Sequence, residues 1–84
     1  MMIIKTLRSK FGLNERLIRT ISVSGGRLYF NFTSSEAEII HVRKEREEDA
    51  RDAAIEAVLV GRVNLDLTPF QVEPAATPAE GLPN

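Results

Sequence analysis

A chain of 84 residues, 43% apolar and 27% charged, has room for one domain with a small core and is neither collagen-like, membrane-class nor globally disordered. The absence of cysteine excludes a disulfide framework, a thiolate metal site and a thiol nucleophile. Net charge is only −1, yet Lys5, Arg8, Lys10, Arg16, Arg19 and Arg27 face a lone Glu15 through Ser35, whereas from Glu36 onward eleven acidic residues meet five basic ones. Such a polarity can neutralise within one molecule, join copies head to tail, or present a positive face to polyanions.

Taken from the start, the apolar patch Met1 to Ile4 is interrupted by Lys5 and Arg8, far short of a signal peptide's apolar region or a spanning helix. The expected location is the cytoplasm or an intracellularly assembled particle, with no membrane partner. Met2 to Leu7 reads as a strand, followed by a turn around Gly12 and Asn14. The clearest local signal is a β-hairpin over residues 17–33: Leu17 to Val23 and Leu28 to Thr33 are rich in β-branched and aromatic residues and flank Gly25-Gly26, which can supply positive φ at both turn positions. Closure there pairs Val23 with Leu28, Ile21 with Phe30 and Arg19 with Phe32 on one face, and Ser22 with Tyr29 and Thr20 with Asn31 on the other. A slip of one residue would expose Phe30 and Phe32, so the register is strongly set.

Ser35 and Glu38 have capping-box spacing, and Gly61 ends a segment carrying Ala50, Ala54, Ala57 and Val58 at helical intervals. The expectation is one long helix over residues 35–60. Its weak point is the run of charged residues from Arg43 to Asp49, across which no apolar stripe passes. In the competing arrangement Ile39 to Arg43 is a strand and the helix begins near Glu45, with its acidic first turns placed favourably against the helix dipole. Strict alternation after Gly61 puts Val63, Leu65 and Leu67 on one side of a strand over residues 62–67. The expected fold is therefore α+β, a small antiparallel sheet built on the hairpin with a helix on one face, forming a domain over residues 1–67. From residue 68 to residue 84, Pro69, Pro74, Pro78 and Pro83 mark an extended tail whose sizeable apolar anchors are Phe70 and Val72.

Chemistry-bearing patterns are sparse. His41 is the sole histidine, so no Ser-His-Asp or Cys-His arrangement has a second candidate base, and it reads as a partly buried helix residue. Gly25-Gly26 lacks the further glycines and Lys-Ser/Thr of a phosphate-binding loop. Glu45, Glu47, Glu48, Asp49 and Asp52 stand among Arg43, Lys44, Arg46 and Arg51, which compete for them against a hard metal ion. No enzyme activity, cofactor, metal or small-molecule substrate is expected.

The expected function is a non-enzymatic protein–protein interaction or assembly subunit, self-associating or part of a larger, virion-type assembly. The tail would dock on a neighbouring chain through Phe70 and Val72, and the helix would meet one through Ile55 and Leu59. The alanine stripe is expected against the chain's own sheet or against a neighbour. Two alternatives accompany this expectation. One is a small nucleic-acid-binding protein using Arg8, Lys10, Arg16, Arg27 and Tyr29. The other is an accessory inhibitor that occupies a host enzyme through the acidic segment Glu45 to Glu56.

Overall fold

The structure, a computed structural model, describes residues 1–72; the proline-rich segment over residues 73–84 lies outside them. In chain order its elements are β1 (Met2–Lys5), β2 (Lys10–Leu13), β3 (Ile18–Ser24), β4 (Arg27–Phe32), β5 (Ala37–His41), α1 (Glu47–Val60) and β6 (Asn64–Asp66), with single 3-10 turns at Glu15–Leu17, Lys44–Arg46 and Thr68–Phe70. The fold is α+β. The strands form two three-stranded sheets, β2-β1-β6 and β3-β4-β5, rather than one. β1 pairs antiparallel with β2 and parallel with β6, while the second sheet is antiparallel throughout.

The hairpin forms with the register its alternation dictates: Val23 opposite Leu28, Ile21 opposite Phe30, Ser22 opposite Tyr29 and Thr20 opposite Asn31. At the far end the expected pairing of Arg19 with Phe32 is replaced by Ile18 with Phe32, because the register shifts between Ile18 and Thr20. The bulge moves the charged Arg19 out of an apolar row and brings Ile18 in, so it repairs the one polar mismatch on the inner face. Gly25 and Gly26 both take positive φ, +60 and +80, as a two-residue turn of this kind requires.

The long helix over residues 35–60 is not formed; its first part is β5. Ser35 sits at φ 73 in the turn from β4, its N–H donating to the Phe32 carbonyl, and so cannot cap a helix. As a strand, Ile40 and Val42 enter the core while Ile39 and His41 point outward. A helix through the same residues would have had to cross the charged run with no buried face. α1 begins where alanines resume. Its 14 residues give about 21 Å at 1.5 Å per residue, close to the roughly 23 Å that the seven residues of β3 span. Glu47, Glu48 and Asp49 occupy its first turn, and Gly61 closes it in the left-handed conformation, donating to the Ala57 and Val58 carbonyls.

One core joins all three layers. Met2, Ile4 and Leu13 from the first sheet meet Leu28, Phe30, Ile40 and Val42 from the second, with Leu65 and Leu67 from β6 and its exit. Ala50, Ala54 and Ala57 are buried against this cluster, so the alanine stripe lets α1 lie close to the chain's own sheets. Gly12 is not a turn residue but lies within β2 opposite Ile3, and Asn14 caps the following 3-10 turn by accepting the Arg16 N–H. Val63, expected to point inward with Leu65 and Leu67, is exposed and precedes the short β6. No helix among the described residues is long and apolar enough to cross a membrane.

Candidate interaction surfaces

The two edges of the β3-β4-β5 sheet are the most informative surfaces. In an antiparallel sheet, alternate residues of an edge strand direct their N–H and C=O groups away from the neighbour. The Val42 N–H donates to Gly26, and Leu28 pairs with Ile40, which leaves the backbone groups of Ala37, Ile39 and His41 on β5, and of Arg43 just beyond it, facing outward. That edge is partly closed by the segment after β6. The Arg43 N–H donates to the Phe70 carbonyl at 2.7 Å, and the Gln71 Nε2 donates to the His41 carbonyl at 2.8 Å. The same Gln71 accepts the Leu7 N–H through Oε1 at 2.8 Å, so one amide ties the β1–β2 turn to the β5 edge. Between these elements lies an open groove of about 520 Å³, lined by Leu7, Arg8 and Phe11 on one wall and Glu38 to His41 on the other.

The Thr68–Phe70 turn that reaches this edge is held locally. Asp66 Oδ1 accepts both the Thr68 hydroxyl at 2.7 Å and the Thr68 N–H at 3.0 Å, and these bonds, with Lys5 nearby, hold its carboxyl below the ordinary aspartate range. Phe70, half-buried, packs against the core with the Arg46 guanidinium 5.1 Å from its ring centre. The start of the expected extended tail is thus a docked 3-10 turn, with Phe70 on the chain's own body. Val72, also expected as a tail contact, is 43% exposed at the end of the described residues.

The β3 edge is different. Ser24, Ser22 and Thr20 pair across to Arg27, Tyr29 and Asn31, so the backbone groups of Ile21 and Val23 face outward. Beside this edge α1 forms an apolar shoulder. Ile18, Ile21, Ile55, Val58 and Leu59, with Arg19 and Thr20 at the rim, line a shallow groove of about 200 Å³. Ile55 and Leu59, the two helix residues expected to meet a neighbour, are therefore brought together, and Leu59 is 79% exposed. Helical spacing pointed to Ile55 and Leu59. Ile18 and Ile21 were legible only as inward strand residues, and nothing local marks Gln71 as a tie between two elements.

The nucleic-acid set is not assembled in the same way. Arg27 and Tyr29 share the outer face of β4, but Arg8 lies in the β1–β2 turn, Lys10 on β2 and Arg16 in a 3-10 turn. Tyr29 lies between Ser22 and Ile39, and Asn31 Nδ2 on the same face donates to Thr20 and Ser22. The acidic segment is partly occupied. Glu45 accepts Arg43, its carboxyl held low first by a backbone hydrogen bond and then by that guanidinium, while Asp49 meets Arg46 and Asp52 meets Arg51. Glu47 Oε1 takes the Gly26 N–H at 2.7 Å, fastening the start of α1 to the hairpin turn. His41, expected as a partly buried helix residue, is exposed on β5. Among the described residues no three His, Asp or Glu side chains cluster as a metal site. Comparison with known family models, curated proteins and solved structures found no match to this chain.

Proposed function

We propose that the protein is a non-enzymatic interaction or assembly subunit that engages another protein chain through the groove between α1 and β3. The carrying observation is the exposed apolar shoulder itself. Leu59 and Ile55 flank Ile18 and Ile21 beside an edge whose backbone groups at Ile21 and Val23 face outward. Extended chains recognise such edges by main-chain hydrogen bonds, and an apolar shoulder gives them side-chain purchase. Burying Leu59 against a partner would contribute about 1.5 to 3 kcal/mol on full burial, and Ile55, already partly buried, a smaller share.

Leu59→Lys tests this reading, because a residue already in solvent can change without emptying the core. Capture of proteins from the native source by the full chain, with identification by mass spectrometry, should return a partner that the Leu59→Lys variant loses. The same set of proteins recovered by both chains would remove the groove from consideration.

A further inference from the structure

We propose, on the reading that the α1–β3 groove is an interaction surface, that its occupant is a second copy of the chain, with β3 pairing antiparallel to β3 of that copy. Three observations converge on the same contact. Ile21 and Val23 direct N–H and C=O groups outward, so each edge supplies as many donors as acceptors and can satisfy its own duplicate. The bulge at Arg19 confines regular pairing to Thr20 through Ser24. The other edge of the sheet is tied at Arg43 and His41 by Phe70 and Gln71. Association through β3 is thus favoured over open-ended growth through both edges.

Charge sets the orientation. α1 runs antiparallel to β3: Glu47 at its start bonds Gly26 beyond the end of β3, and Val58 and Leu59 near its finish flank Ile18 and Arg19 at the beginning. The beginning of the shared edge therefore carries Arg19, with Arg62 just after α1, and its end carries the acidic first turns of α1. Glu48 falls on the same helical stripe as Ile55 and Leu59 and is exposed. Neither Arg19 nor Glu48 makes an ion pair among the described residues. An antiparallel β3–β3 contact turns the second copy end for end, which sets its Glu48 near Arg19 and Leu59 and brings the two Ile55 residues towards the shared axis, beside Asp52, whose charge Arg51 of the same chain meets. A parallel contact would align like charges instead. The opposed charges of the two halves of the chain then serve recognition between copies, while the edge pairing and the apolar contact at Ile55 supply the affinity.

Light scattering after size-exclusion chromatography, with amide exchange measured across a concentration series on the full chain, tests the inference. The expected result is a dimer in which the Ile21 and Val23 amides gain protection with concentration while those of Ala37 and Ile39 do not. Arg19→Glu and Glu48→Arg should each weaken dimerisation about tenfold, and the double exchange should restore it. A monomer at every concentration, protection appearing at Ala37 and Ile39 instead, or no recovery in the double exchange would overturn self-pairing. A monomeric chain that still loses a different captured protein on Leu59→Lys overturns the second copy while leaving the groove reading in place; a monomeric chain indifferent to Leu59→Lys overturns both.

Discussion

The two edges of one sheet are managed in opposite ways. β5 presents outward backbone groups to a groove, and the chain then returns across it, using the Phe70 carbonyl and the Gln71 amide to occupy two of the positions. β3 presents the same kind of groups beside an exposed apolar helix face, and nothing in the described chain returns to cover it. An edge strand in water is a template for pairing, and closing one side while leaving the other open directs that tendency to one surface. Two edges of similar backbone chemistry thus acquire different roles from what the later chain brings to them.

The substitution expected to act most strongly removes the support of both edges. Phe30 is fully buried in β4, the central strand, and contacts shared by both sheets hold it there. Phe30→Ala should cost about 3 to 5 kcal/mol, a large share of the ~4 to 12 kcal/mol available to a domain of this size. A thermal or denaturant melt measures it, and a transition barely displaced would mean that β4 is not the common foundation of the two edges.

Next come the turn glycines, which separate a conformational requirement from a packing one. Both have positive φ, so alanine at either position is strained. A Cβ on Gly26 would also meet the Val42 carbonyl at 3.3 Å, just past the end of β5, whereas one on Gly25 meets only the end of the Arg27 side chain at 3.8 Å. Gly26→Ala is expected to cost about 2 kcal/mol and Gly25→Ala about 1 kcal/mol. Equal losses in the two melts would show that φ alone, and not the approach of β5, sets the requirement.

The hairpin was legible because its alternation and its paired glycines specify the same register, and local and tertiary preferences agree there. The segment after it reads two ways, because Ser35-Glu36-Ala37-Glu38 satisfies a capping pattern whose helix would have no buried face through Arg43 to Asp49, and the structure takes the competing arrangement, a strand ending at His41 and a helix beginning at Glu47. Tertiary burial of Ile40 and Val42 outweighs that local preference, as it commonly does for short segments. β2 was missed for a related reason: Gly12 reads as a turn, but in a strand opposite Ile3 it needs no special φ. Of the groove, Ile55 and Leu59 were legible from helical spacing. The contribution of β3 was not, since which strand becomes an edge depends on the pairing of β4 with β5. The reach of Gln71 depends on where β6 ends, which no local pattern encodes.

A smaller change should act on the closed edge alone. Gln71→Ala removes the bonds to the Leu7 N–H and the His41 carbonyl, both at sites water can reach, so the loss should be about 1 kcal/mol or less. Faster amide exchange is expected at Leu7 and Arg43, with Ile21 and Val23 unchanged. Exchange that quickened equally at both edges would deny that they are independently controlled.

Acid should loosen the same closure by a different route. The folded Asp66 carboxyl lies below its ordinary value, first because of the Thr68 hydroxyl, then the Thr68 N–H, with a further share from Lys5. A depressed carboxyl contributes stability that is fully present above the unfolded value, about pH 4, and is lost as pH falls through the lower folded value. The Thr68–Phe70 turn, and with it the Phe70 carbonyl on Arg43, should therefore loosen only in that acid window. The Asp66 side chain is exposed, so the effect is expected to be small and local. Amide exchange at Arg43 is the sensitive measurement: in the native chain its protection should decline below about pH 4. In Asp66→Asn it should be lower at neutral pH and respond less to acid. Glu45, whose carboxyl is also held low and bonds Arg43, should leave part of the acid response in the variant. A profile unchanged by Asp66→Asn would assign the acid response to Glu45 and leave the capping of Thr68 without influence on the closed edge.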